Sequence, residues 1–265
     1  MIGSASTYNV AFEHDNRYQR NFTMVFARAN LFVAGFILSC ACLFTTEALA
    51  DEEEGFSGRA GLGILATTGN SENKSFNANF NLGWSYAPWN HTLDGVAIKS
   101  SASGDTTAEA YSLGWKSQYS LNEVDYLFGL VSWDKDEFSA YEQQIREAIG
   151  YGRQFFDTGT HFLSSEIGIG ARQSDLRDGT NSNETILYLG GAYRWTISET
   201  SEFSQLIAVE HGSDNTYIES TSALSAKVKE NLALALSFII KNNSDVLPGT
   251  KKTDTFTTIS LEYAF

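Results

Sequence analysis

Cysteine is nearly absent from this 265-residue chain: Cys40 and Cys42 are the two it has, both in one apolar segment near the start. Beyond residue 50 there is no thiol, which excludes a disulfide, a cysteine nucleophile and a thiolate metal site from that part. Proline is as scarce, with two residues, so extended segments run on without interruption. Positive charge is short as well: 18 Lys and Arg face 32 Asp and Glu, a formal charge of −14. Such a chain lacks the basic stripe that nucleic-acid phosphates require. An unbroken apolar run of the ~20 residues that a spanning helix needs is also missing. A mean hydropathy of −0.21 does not exclude a membrane protein, because a transmembrane barrel turns polar residues inward.

The longest apolar stretch runs from Leu31 to Phe44, preceded by Arg28 and followed by Ala48-Leu-Ala50. A positive flank, a short apolar core and an A-x-A site form a secretory signal peptide. The reading divides the chain into residues 1–50, extension and signal, and residues 51–265, the exported domain, with Met24 a more typical start. The alternatives are a membrane anchor and a lipoprotein box at Ile37-Leu-Ser-Cys40, where Leu38 occupies a position that normally holds a small residue.

From Gly55 onward the pattern has period two. In Phe76–Tyr86 every even position is apolar or aromatic and every odd one is Asn, Gly or Ser. The same alternation marks 56–66, 107–121, 185–195 and 255–265, and one apolar face opposite one polar face is what it implies. Weaker strand patterns occupy 92–101, 126–135, 141–151, 162–172, 203–211, 217–228 and 232–242. The total is about twelve, an even number, each long enough for the ~9–11 residues of a tilted membrane strand. Short turns at 88–90, 121–125, 157–160, 198–201 and 229–231 alternate with mostly longer polar connections at 68–74, 101–106, 134–140, 173–183, 212–216 and 243–252. Trp84, Trp89, Tyr119, Tyr193, Trp195 and Phe265 gather beside the short turns, as an interfacial girdle does, while Phe76, Trp133, Phe138, Tyr141 and Tyr217 lie toward the other end. The fold expected is all-β: a transmembrane antiparallel up-and-down barrel of about twelve strands in the outer membrane of a Gram-negative cell. A soluble sandwich or lipocalin-like barrel shares the alternation but not the export signal or the girdle. Glu147 and Gln205 break the pattern by falling on the apolar face, which calls for a bulge or a place near the interface. The weakly alternating strands 92–101 and 126–135 suggest bulges too.

In order along residues 55–265, Thr68-Gly-Asn-Ser-Glu72, Thr107-Ala-Glu109, Tyr126-Leu-Phe-Gly129, Gly150-Tyr-Gly-Arg153, Gly212-Ser-Asp-Asn-Thr-Tyr217, and Asn243-Ser-Asp-Val246 with Lys252-Thr-Asp254 resemble the salt-induced outer membrane protein family built on domain of unknown function 481. The resemblance implies an outer-membrane barrel and no established activity, ligand or catalytic residue.

Chemistry-bearing groups are few. His211 and Ser213 are two apart, with Asn215 close by, and a His base activating a Ser nucleophile makes an outer-membrane lipid hydrolase the alternative function. The competing reading is an interfacial histidine entering a Gly-Ser-Asp-Asn turn. His91 and His161 read as interfacial. The acids of Asp134–Glu137 and Asp175–Asn181 carry oxygen ligands for calcium but lack EF-hand spacing, and solvated loops are the plainer reading. No cofactor is expected.

The leading expectation is a structural or stress-related envelope protein or narrow, porin-like pore, not an enzyme. Arg59, Lys116, Arg172, Glu184, Arg194, Glu210 and Glu262 fall on the polar face, where opposite charges pair across the lumen. Expected partners are outer-membrane lipids, lipopolysaccharide and the barrel-assembly machinery, the last through Tyr263 and Phe265. Oligomeric state and solute are not legible.

Overall fold

The computed structural model describes residues 55–67, 73–137, 139, 141–246 and 251–265. The export segment with Met24 and the Ala48-Leu-Ala50 site, the Thr68–Glu72 run and Phe138 lie outside the described residues. Alternation over many residues with little proline produces strands, and twelve form: β1 (Gly55–Thr67), β2 (Asn73–Tyr86), β3 (Trp89–Ala102), β4 (Asp105–Ser120), β5 (Asp125–Asp136) and β6 (Tyr141–Asp157). They continue as β7 (His161–Leu176), β8 (Asn181–Ser198), β9 (Ser201–His211), β10 (Thr216–Lys229), β11 (Leu232–Asn243) and β12 (Thr253–Ala264). Each pairs antiparallel with its chain neighbours, and β1 pairs with β12, so the sheet is closed and has no free edge. The seam ladder runs from Arg59–Ala264 to Leu62–Leu261, and two further hydrogen bonds extend it, Gly58 N to Phe265 O at 2.8 Å and Phe265 N to Gly58 O at 2.9 Å.

The outer surface is apolar where a soluble protein would be polar. Leu62, Ile64, Ile149, Ile167, Ile169 and Ile259 are all more than half exposed. Soluble monomers rarely expose a contiguous apolar surface of this kind, whereas a lipid-facing band requires it. At the short-turn end, Trp89 stacks on His91 and His161 stacks between Tyr193 and Trp195, with both histidines hydrogen-bonded to hydroxyls (Ser117, Tyr193). The turns use standard local chemistry. Asn122 accepts from the amides of Val124 and Asp125, and Asp178 accepts from both the amide and the hydroxyl of Thr180, which holds its carboxyl below the usual aspartate value.

Three expectations need correction. Several connections at the loop end are short, because the ladders run past the stretch of clear alternation. β3 and β4 meet in a two-residue turn at Ser103-Gly104 with positive φ at both, and β6 and β8 are 17 and 18 residues long. Asp134 and Asp136, read as loop acids, belong to β5 and are buried inside. Strand 126–135 contains no bulge; it alternates poorly because its inner face, Phe128 and Leu130, is as apolar as its outer one. Glu147 and Gln205 face outward in unbroken register. Gln205 is satisfied there by Ser220 and Ser222, and Glu147 lies between Val131 and Ala171 of the neighbouring strands.

Candidate functional site: the barrel lumen

Two devices fill the interior, one at mid-height and one toward the loop end. The first is aromatic. Phe128 and Tyr188 meet at 5.5 Å between ring centroids, with Leu130, Ala148 and Ala208 around them. The adjacent strand β6 has glycine where the rings pass. A Cβ at Gly150 would sit 2.2 Å from the carbonyl oxygen of Ile167 and 2.8 Å from the Phe128 ring, and one at Gly152 would sit 2.2 Å from the Tyr126 ring.

The second device is ionic and joins the inner faces of β5 to β9. Arg146, on β6, donates to Asp134 on β5 at 2.5 Å and to Glu210 on β9 at 3.1 Å. Glu210 also pairs with Arg172 on β7 at 3.5 Å, and Arg172 donates to Glu184 on β8. All five side chains are almost fully buried. Beside them Lys241 pairs with Glu219 at 3.6 Å, and Tyr217 donates to Glu219 at 2.6 Å. A charge chain of this kind is stable only because each member has an opposite neighbour; removing one strands the rest.

The β9–β10 connection lies at the loop end of this chain, and Asn215 is its hub. Its amide and that of Asp214 donate to Glu184 at 3.2 and 3.0 Å, and its carbonyl accepts from Arg172 at 2.7 Å. Its side-chain nitrogen donates to Asn243 at 2.7 Å and Tyr141 at 3.3 Å, while its side-chain oxygen accepts from Ser244 and the amide of Asp245. The residue is buried, and these bonds engage its backbone and side-chain polar groups.

The short-turn end differs. A cavity of about 590 Å³ opens there, walled by small and polar residues such as Asn77, Asn79, Ala223, Ser225, Ala235 and Thr258. Arg59 pairs with Glu262 at 3.6 Å on its wall, and Arg194 pairs with Asp157 at 3.6 Å while lying over the Phe162 ring. Lys116 donates to Glu166 at 2.5 Å deeper in.

All seven charged residues read from the sequence therefore face inward, but in two places: Arg172, Glu184 and Glu210 in the ionic chain, Arg59, Arg194 and Glu262 around the cavity, with Lys116 between them. Sequence reasoning missed Arg146, Asp94, Glu166, Glu219 and Lys241, although period two set from Ile145, Ile149, Ile167 and Ile169 would have turned Arg146 and Glu166 inward.

His211, Ser213 and Asn215 are not assembled into a triad. His211 faces outward and its Nδ1 is paired with the Thr216 hydroxyl at 2.7 Å, whereas Asn215 is turned into the mouth. Asp175, read as a loop acid, lies near the end of β7 and accepts from Gln143 at 2.6 Å, and Lys135 holds the carboxyl of Glu137 below its usual value through a 2.9 Å contact. Among the described residues no three His, Cys, Asp or Glu side chains converge as a metal site.

Comparison with known proteins places this geometry in context. The family model described as "Protein of unknown function, DUF481" matches residues 60–265. An uncharacterized protein of Escherichia coli (strain K12), YdiY, is 31% identical over 216 residues, covering 81% of this chain and 85% of its own length. Among solved structures, the KdgM porin in complex with disordered oligogalacturonate shares 12% identity, with a TM-score of 0.43 over 79% of this chain and 99% of its own. The NanC porin shares 8% identity with a TM-score of 0.45, over 79% of this chain and 98% of its own. The translocator domain of the autotransporter NalP from Neisseria meningitidis shares 12% with a TM-score of 0.45, over 88% and 95%. These are likenesses of outline, and nothing those proteins bind is carried over.

Proposed function

From the premise that the chain belongs to the DUF481 family, whose function is unknown, we propose that it is an outer-membrane barrel with a closed lumen: a structural envelope protein or narrow pore, not a wide diffusion channel. The observation that carries the reading is the buried ionic chain from Asp134 to Glu184, whose Arg146–Glu210 bond passes through the interior from β6 to β9 below the Asn215 network. Twelve strands lie between the ~8 that fill completely and the ~16 that leave a water channel, so side chains of this size are enough to block the path. The apolar exterior and aromatic ends support a position in lipid, since a closed barrel satisfies every backbone amide there. Export by the segment ending at Ala50, contact with outer-membrane lipid and lipopolysaccharide, and assembly through the strand carrying Tyr263 and Phe265 belong to the same proposal.

Planar-bilayer recording tests it. The purified barrel gives no large, stable conductance steps; steps of general-porin size overturn the closed-lumen reading.

A further inference from the structure

One buried charge in the lumen stands apart. Asp94, on β3, is 4% exposed, and no hydrogen bond or ion pair reaches its carboxylate among the described residues. Both of its oxygens lie over Gly114 on the adjacent strand, 2.9 Å from where a Cβ would be, so the carboxylate is held against bare backbone. It lines a cavity of about 70 Å³ at mid-height, with Thr92, Lys116, Glu166, Glu219 and Thr221. The charges that act on it are Asp134, Glu219, Lys116 and Arg146, and each of the two cations is already engaged, Lys116 by Glu166 and Arg146 by Asp134 and Glu210. In register beside it, the side-chain nitrogen of Asn81 is buried without an acceptor.

Charge and room agree. Among the described residues seven buried carboxylates (Asp94, Asp134, Asp136, Glu166, Glu184, Glu210, Glu219) face four cationic groups (Lys116, Arg146, Arg172, Lys241), so the interior is negative. An isolated buried carboxylate is costly unless something neutralises it. A 70 Å³ space takes a small ion with about one or two waters, at ~30 Å³ each. Thr221 borders both this cavity and the 590 Å³ cavity, so one side chain separates Asp94 from the open short-turn end.

The geometry points to a site for a single monovalent cation at Asp94, with the hydroxyls of Thr92 and Thr221 as further oxygen ligands. A divalent ion is disfavoured, because the neighbouring acids already have cationic or hydroxyl partners and leave one carboxylate to bind it. The site rests on the interior charge and not on whether the barrel conducts.

The test uses the whole folded barrel in detergent, with its unfolding midpoint followed by the heat-modifiable gel shift in sodium, potassium or choline chloride at equal ionic strength. Sodium or potassium raises the midpoint saturably, by about 5 °C at a hundredfold excess over the dissociation constant, and choline does not. Asp94→Asn abolishes the difference and Asp94→Glu retains part of it. Should Asp94→Asn fail to fold, sodium-23 line broadening by the unmodified protein, relieved by potassium, carries the test alone. Equal midpoints in all three salts, or no line broadening, overturn the site. So does a midpoint that rises on acidification while ignoring the cation, since a proton then neutralises Asp94.

Discussion

The two ends of the lumen are built from the same period-two strands and behave as different materials. At mid-height the inner face carries Phe128, Leu130 and Tyr188, toward the loop end it carries a chain of interlocked charges, and almost nothing there is exposed. Toward the short turns the inner face carries Asn, Ser, Ala and Thr, and Arg59 keeps 37% of its side chain exposed beside Glu262. The difference teaches that a barrel of this size does not fix its own bore. Residue volume and charge on the inward positions decide, strand by strand, where it is filled and where it is open.

Breaking the filled end should have the largest effect. Arg146→Ala strands Asp134 and Glu210 in the interior and is expected to cost about 3–5 kcal/mol, read as a lowered urea midpoint of the heat-modifiable form. Next comes the seam: removing Tyr263–Phe265 takes away the two bonds to Gly58 and is expected to lower the folded barrel recovered in outer-membrane fractions, while removing residues 1–23 leaves it unchanged. Unchanged recovery after the first deletion would contradict the role of the seam.

A third substitution sharpens the aromatic half of the comparison. Gly168→Leu must fit a Cβ 2.5 Å from the carbonyl oxygen of Ile149 and 3.0 Å from the Phe128 ring, and a loss of about 1–3 kcal/mol is expected in the same urea assay. Asn215→Ala leaves the Glu184, Asn243 and Ser244 network incomplete, at about 1–3 kcal/mol, and should raise small, flickering conductance in planar bilayers above that of the unmodified barrel. The smallest effect is expected in the open end. Arg59→Ala removes a half-exposed pair worth about 0–1 kcal/mol, and a loss as large as that of Arg146→Ala would erase the distinction between the two ends.

Much of this was legible from residue order. Twelve strands, their positions, the inward direction of Arg172, Arg194 and Glu262, and the interfacial place of His91 and His161 all follow from period two and from where rings cluster, because those are local consequences of the pleat. Three things were not. Strand ends extended beyond the clear alternation, since a ladder continues in water without an apolar face to mark it. Phe128 and Leu130 disguised an inner face as an irregular one. Asp134 lay at the end of an acidic run that reads as loop.

What the sequence determined by itself is therefore which side of the wall each side chain occupies. Which inward residues meet was decided by curvature of the closed sheet: Arg146 and Glu210 are 64 positions apart and touch because the wall bends the inner face of β6 toward that of β9, with β7 and β8 between them. Alternation specifies a direction for every side chain but no partner. Whether a charge ends up paired, as Arg172 is, or alone, as Asp94 is, depends on curvature and register that exist only once the last strand has joined the first.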